Sequence, residues 1–253
     1  MARTIEAEPA LVLRAIAFGE ADRVVTLLCA KQGKVAALAK GARRSQKRFA
    51  GGLGTLCYGE ASYVERPFAD LARFERFEAR SMWPGIMADL GKIAHAGYAA
   101  ELLEALLPMH QPDEPVFALA LGFVRTLDAG EARAELLRVF ELQLLDRVGL
   151  RPALDACVSC RRPADDAAGQ RLDPRRGGII CGQCRGDGPL LDGAARTLLC
   201  AAQACKLDDA AALKPSPEAA RGARIAIQAF LTSHVGRVLK SVAFIEKLNQ
   251  AQA

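Results

Sequence analysis

The sequence predicts an α+β protein in which a small five-stranded barrel precedes an all-helical domain that carries a compact cysteine-rich insertion. Three observations predict it. Apolar and β-branched runs in the first 80 residues are short and broken by glycine or charge. Beyond Trp83-Pro84, apolar residues recur every three or four positions. Between Arg151 and Pro189 both periods vanish, and Gly, Pro, Arg, Asp and paired Cys take over. A chain of 253 residues has room for two domains, or for one with a sizeable insertion. With 51% hydrophobic and 25% charged residues it can bury a core, which excludes a disordered chain or a disulfide-only scaffold.

The five strand-like runs are residues 11–18, 24–28, 35–39, 53–63 and 71–77. Lys31-Gln32-Gly33-Lys34 separates the second from the third, and its glycine can supply the positive φ of a hairpin turn. Five strands in so short a segment must close to protect their edges. A Greek-key barrel such as an OB-fold is one solution, and an SH3-like barrel fits the same pattern. Ile86, Leu90, Ile93, Ala94, Tyr98, Leu102 and Leu106 then mark one face of a helix that residues 108–115 (PMHQPDEP) break. Asp113 or Glu114 opens a second helix over 116–127. A third, over 132–148, buries Leu136, Leu137, Phe140, Leu144, Leu145 and Val148 and stops at Gly149, a C-terminal cap. Helical patterns at 193–205 and 217–239 and an apolar segment at 242–248 follow the insertion. The expected domains are therefore 1–80 for the barrel, 81–150 and 191–253 for the two parts of the helical domain, and 151–190 for the cysteine module.

The formal charge of +5 is unevenly spread. Residues 1–48 hold ten basic and four acidic groups, whereas residues 81–150 hold five and ten. Such asymmetry suggests a polyanion-binding region joined to an acidic body. Most of the excess lies in Lys40-Gly41-Ala42-Arg43-Arg44-Ser45-Gln46-Lys47-Arg48-Phe49, followed by Gly51-Gly52. Lys31 and Lys34 on the hairpin turn are expected to join the same surface. Cations converging on a phosphate backbone release its condensed counterions, which gives sequence-independent, salt-sensitive binding. Phe49, Tyr58 and Tyr63 are candidates for stacking on bases.

Cys157-x2-Cys160 and Cys181-x2-Cys184, 20 residues apart, have the two-knuckle spacing of a four-thiolate zinc site. Four thiolates leave Zn²⁺ no open position, so the metal would be structural. A pair of redox-active disulfides and a site that no longer binds metal are the alternatives. Cys29, Cys57, Cys200 and Cys205 lack such spacing and read as small hydrophobes. No G-x4-G-K-[ST] phosphate loop occurs, and His95, His110 and His234 stand outside any H-x-E or H-E-x-x-H motif. Adjacent acids such as Asp165-Asp166 point apart on any regular element. The residues therefore predict no catalysis. The first residues lack a signal-peptide core, and the most apolar stretch, 93–107, is interrupted by His95, Glu101 and Glu104 and is too short for a bilayer, so a cytoplasmic protein is expected.

Taken in order, several segments resemble the signatures of the bacterial recombination mediator family RecO. They are Gly19-Glu20-Ala21-Asp22-Arg23-Val24-Val25-Thr26-Leu27-Leu28, Gly33-Lys34-Val35 and Lys40-Gly41-Ala42-Arg43-Arg44 at the N-terminal end. Gly149-Leu150-Arg151-Pro152 before the first knuckle, Gly177-Gly178 before the second, and Lys240-Ser241-Val242-Ala243-Phe244-Ile245 complete the set. Arg161 departs from the pattern, standing where the family often has Gly. The resemblance implies an N-terminal OB-fold, a helical domain and a zinc module. It also implies binding to single- and double-stranded DNA, annealing of complementary strands, and action with RecR to load RecA onto DNA coated by single-strand-binding protein in the nucleoid. On that reading Lys31, Lys34, Lys40, Arg43, Arg44, Lys47 and Arg48 hold phosphates, and Cys157, Cys160, Cys181 and Cys184 hold one Zn²⁺. The rival from another class is a zinc-ribbon transcription or RNA-binding factor.

Overall fold

A computed structural model describes residues 2–45, 47–49, 53–165 and 169–251. Gln46, Gly51, Gly52 and Asp166 lie outside the described residues. The chain divides into two compact units, Met1–Glu131 with Lys240–Ala253, and Ala132–Leu239. The helical sequence is thus shared between them, with the last helix returning to the first unit.

In the first unit, β1 (Arg3–Phe18), β2 (Asp22–Cys29), β3 (Gly33–Ala39), β4 (Tyr58–Glu65) and β5 (Ala72–Ser81) form a closed barrel in the order β1-β2-β3-β5-β4. Every pairing is antiparallel except β3 with β5. One long strand makes closure possible. Residues 10–18 of β1 pair with β2 and residues 3–11 with β4, and irregularities at Val12/Arg14 and Ile5/Glu8 bend the strand between its two partners. The fourth strand starts at Tyr58 and not at residue 53, because Leu56 adopts a φ of 57° and its N–H turns aside to the Val12 carbonyl at 2.6 Å. Gly33 has the expected positive φ of 69°, and a Cβ there would lie 2.2 Å from the Gln111 carbonyl oxygen. Inside the barrel, alternate residues of β2 and β3 (Val25, Leu27, Cys29; Val35, Ala37, Ala39) meet Tyr63, Phe74, Phe77 and Phe49.

The single helix expected from Ile86 onward is two, α1 (Pro84–Met87) and α2 (Leu90–Leu106). Asp89 interrupts it by capping the second, accepting the Lys92 N–H at 2.9 Å. The helix α3 (Glu114–Ala129) begins at Asp113, which accepts from Val116 at 2.9 Å. The final helix α7 (Lys240–Ala251) lies on α2, and the Glu101 carboxylate of α2 caps it by accepting from the Lys240 and Ser241 N–H groups at 3.0 and 2.9 Å.

The second unit contains α4 (Ala134–Arg147), α5 (Gly193–Ala204), a 3₁₀ turn (Leu207–Ala212) and α6 (Pro217–Val235) around the cysteine module. Gly149, at φ 76°, follows α4 as expected. The module has structure that the sequence pattern did not reveal, a three-stranded antiparallel sheet in the order β7-β6-β8 from β6 (Gln170–Asp173), β7 (Gly178–Ile180) and β8 (Leu190–Leu191). Strands of two to four residues are too short to establish a period. Within α4, Arg138 and Glu141 form a 2.8 Å ion pair with side chains only 8% and 0% exposed. Replacing Glu141 with alanine would leave a buried guanidinium uncompensated, at a cost of about 3–5 kcal/mol. The urea unfolding midpoint of the variant reads this directly, and a loss below about 1 kcal/mol would mean that solvent reaches the pair. Among the described residues no helix is long and apolar enough to cross a membrane.

Candidate nucleic-acid interface and metal centre

The basic run forms the start of the connection from β3 to β4, and its backbone is held at several points. The Gly41 N–H donates to the Asp22 carboxylate at 2.7 Å, and the Gly41 carbonyl accepts from Arg44 and Ser45 at 3.1 and 3.0 Å. Arg43 donates its backbone N–H to the Ala21 carbonyl at 3.0 Å and its guanidinium to the Glu20 carbonyl at 3.2 Å. Further along, the Arg48 guanidinium donates to the Lys40 carbonyl and sits 5.2 Å from the Phe49 ring centroid. Phe49 itself plugs the barrel, 5% exposed and 5.2 Å from Phe74. Lys40, Arg43, Arg44 and Lys47 are exposed and Arg48 is half-buried.

Charge pairing separates this loop from the rest of the barrel. Arg3 pairs with Glu65 at 3.9 Å, Arg14 with Glu104 at 3.4 Å, Arg76 with Glu78 at 2.6 Å and Arg80 with Glu60 at 2.9 Å, and Arg73 pairs with Glu75. Among the described residues, no carboxylate lies within ion-pair distance of Lys40, Arg43, Arg44, Lys47 or Arg48. Among those residues, five of the strand arginines are neutralised locally and Arg23 of β2 is not, whereas the loop cations all retain their charge for an external anion.

Lys31 and Lys34 do not join this surface. The β2–β3 ladder runs from Cys29 opposite Gly33 to Arg23 opposite Ala39, a span of roughly 20 Å that puts the hairpin turn at the far end from Lys40. Lys31 is exposed there. Lys34 is 9% exposed, and its ammonium donates to the Glu104 carbonyl at 2.5 Å, fastening β3 to the end of α2. Desolvation holds its pKa below the ordinary lysine value. Its role in this fold is a packing one.

The aromatic expectations also change. Phe49 and Tyr63 belong to the core, so neither can stack on a base, and Tyr58 is half-buried. Instead Phe18, 54% exposed, ends β1 immediately before the turn on which the basic loop rests, and Ile16, two residues earlier, is 42% exposed on the same face. Arg14, Ile16 and Phe18 share one parity of the strand and all three are exposed, so the charge at Arg14 marks that outward face in the sequence.

The four module cysteines converge, with all their sulfurs within 4.8 Å of one another. Cys160 Sγ and Cys181 Sγ are 3.7 Å apart. Zn–S bonds of about 2.3 Å would set tetrahedral sulfurs roughly 3.8 Å apart, so the donor set fits such an ion. Burial alone would raise the Cys157 thiol, but N–H groups of Cys181, Cys160 and Ser159 outweigh it and bring the pKa down to about 6. The Gln183 N–H chiefly holds Cys181 below the ordinary thiol value, while hydrogen bonds with the Cys181 and Cys160 sulfurs push Cys184 up to about 12. Backbone N–H groups thus draw sulfurs of this cluster towards thiolate, and a divalent cation would balance that charge. The surrounding residues tie the knuckles together. The Arg176 guanidinium donates to the Ser159 hydroxyl at 2.7 Å and the Arg185 carbonyl at 2.9 Å, and buried Asp173 accepts the N–H groups of Arg175, Arg176 and Asp187. Arg161 takes a φ of 63°, the left-handed conformation that glycine adopts without strain. The knuckle turn thus forms with an arginine in that place.

Of the remaining cysteines, Cys29 and Cys57 are buried and fit the hydrophobic reading, whereas Cys200 and Cys205 are half-buried. Burial pushes Cys29 up to about 12 and Cys57 up to about 11, which keeps both as thiols.

Comparison with known proteins agrees along the chain. Residues 1–83 match the family model for the N terminal of recombination protein O, and residues 87–243 match the model for its C terminal. Proteins named DNA repair protein RecO from Anaeromyxobacter sp. (strain Fw109-5), Symbiobacterium thermophilum and Myxococcus xanthus are 42%, 36% and 35% identical over 242, 251 and 246 residues. The alignments cover 94%, 96% and 95% of this chain and 94%, 97% and 97% of those relatives.

Proposed function

This chain belongs to the RecO family, and from that premise we propose that it acts in DNA repair as a non-catalytic recombination mediator. It binds single- and double-stranded DNA, anneals complementary strands and, with RecR, assists loading of RecA onto DNA coated by single-strand-binding protein. The observation that carries the reading is the group of loop cations without carboxylate partners among the described residues, on a barrel where Arg3, Arg14, Arg73, Arg76 and Arg80 are paired. Lys40, Arg43, Arg44, Lys47 and Arg48 grip phosphates on two strands and screen their mutual repulsion; base pairing supplies the specificity. The strand order β1-β2-β3-β5-β4, closed by a parallel β3–β5 pair, supports reading residues 1–80 as an OB-fold. Phe18 offers a flat apolar surface to a base beside that grip.

Cys157, Cys160, Cys181 and Cys184 hold one structural Zn²⁺, which supplies cross-linking and charge balance and takes part in no reaction. The helical segments, 81–150 and 191–253, offer the surface for RecR and the single-strand-binding protein.

The test is annealing of complementary DNA strands precoated with cognate single-strand-binding protein, in the absence of any nucleotide triphosphate. Annealing faster than in protein-free controls, with weaker action on matched RNA, is the expected result. Equal action on RNA would favour an RNA-binding factor, and no acceleration would remove the mediator reading.

A further inference from the structure

We infer that Asp22 is a positioning residue for the phosphate-gripping loop, an acid that strengthens DNA binding by ordering the cations around it. The inference rests on the proposed role of that loop. By charge alone Asp22 belongs to the wrong sign, since it stands at the start of β2 beside the most cationic segment of the chain. Its geometry argues the reverse. One carboxylate oxygen accepts the Gly41 N–H at 2.7 Å, at the residue where the chain leaves β3 and the loop begins.

That bond fixes more than one residue. Gly41 has a φ of 63°, a conformation in which its N–H faces β2 while its carbonyl faces into the loop. The carbonyl then receives the N–H groups of Arg44 and Ser45. The two residues before Asp22 complete the seat, because the Ala21 and Glu20 carbonyls receive the Arg43 backbone and guanidinium. Three consecutive residues, Glu20, Ala21 and Asp22, thus hold the loop from Gly41 to Ser45, and only Asp22 does so through a side chain. A substitution at Asp22 removes a support without touching a cation.

Two opposed effects can be weighed. Repulsion between one half-buried carboxylate and a phosphate about a Debye length away is screened and alters affinity by less than about twofold. Loss of a charge-assisted hydrogen bond that holds a backbone turn lowers the fraction of molecules with the loop in its binding form, and apparent affinity falls by the same fraction. Ordering therefore outweighs repulsion.

The experiment measures single-stranded DNA affinity and the exchange rate of the Gly41 amide in the full chain, for the parent, Asp22→Ala, Asp22→Asn and the triple variant Arg43→Ala/Arg44→Ala/Lys47→Ala. Asp22→Ala is expected to bind about tenfold more weakly despite its more positive charge, with faster Gly41 exchange. Asp22→Asn keeps an acceptor oxygen without the charge and should stay within about twofold of the parent, with Gly41 still protected. Tighter binding by both Asp22 variants, or weaker binding by Asp22→Ala with Gly41 exchange unchanged, overturns the inference while a weakened triple variant preserves the loop's role. A triple variant that binds like the parent removes the loop's role, and the inference with it.

Discussion

Alanine at Arg43, Arg44, Lys47 and Arg48 together is expected to weaken single-stranded DNA binding about a hundredfold near physiological salt. Each phosphate contact releases about 0.7 of a counterion from a single strand, so four lost contacts should flatten the plot of log affinity against log salt by roughly 3. The loss should be equal across unrelated sequences, because contacts to the backbone carry no base information. Thermal stability should change little, since Arg43, Arg44 and Lys47 are exposed and belong to no core cluster. Arg48 differs, because its guanidinium also ties the loop to the Lys40 carbonyl and covers Phe49. The triple variant without Arg48 separates charge from loop closure. A quadruple variant with the parent's affinity and salt slope would sink the assignment of this loop as the DNA contact.

Removing the metal, or replacing Cys181 with serine, is expected to disorder the module while leaving the barrel folded. The module is short, and its buried apolar side chains are few, chiefly Leu154, Leu172, Ile179, Ile180 and Leu191. A segment of about 40 residues does not bury enough surface to hold itself together unaided. Structural zinc contributes about 10–16 kcal/mol of apparent binding free energy in small domains, much of it realised as folding. Hydrogen exchange provides the readout. Val158, Ile179 and Cys181, whose N–H groups bond to Ile179 O, Ala153 O and Cys157 Sγ, should lose protection, while Leu27 and Val35 in the barrel keep theirs. Elemental analysis of the parent should give about one Zn²⁺ per chain. DNA affinity should stay within about twofold, because the loop cations belong to the other compact unit. A module equally protected with and without metal would show that its apolar residues suffice.

The family and the convergence of the four module cysteines are legible in the sequence for a shared reason. Cysteine pairs separated by two residues can grip an ion from a local turn, so their spacing survives in one dimension. Helix caps such as Asp113 and Gly149 are equally local, and both stand where the pattern placed them. Lys34 shows the limit. In sequence it is one more cation beside a basic run, and only the packing of α2 against the barrel turns it inward to the Glu104 carbonyl. Phe49 was misread in the same way, since adjacency to a basic loop says nothing of which side of the barrel wall its ring occupies.

Short-range pattern in the sequence discloses most of each strand, most of the helices, the four-cysteine cluster and the basic run, because each depends on residues within a few positions of one another. It does not disclose residues 3–10 of β1, expected to start at residue 11, whose pairing with β4 closes the barrel. The tertiary structure decided which of the cations remain available. Arg73, Arg76 and Arg80 acquire glutamate partners along β4 and β5, Arg14 acquires one from α2, and the loop from Lys40 to Arg48 acquires none among the described residues. Arg73 and Arg76 find their partners two positions away on β5, but Arg80–Glu60 and Arg14–Glu104 need strand register and helix docking to bring together groups 20 and 90 positions apart.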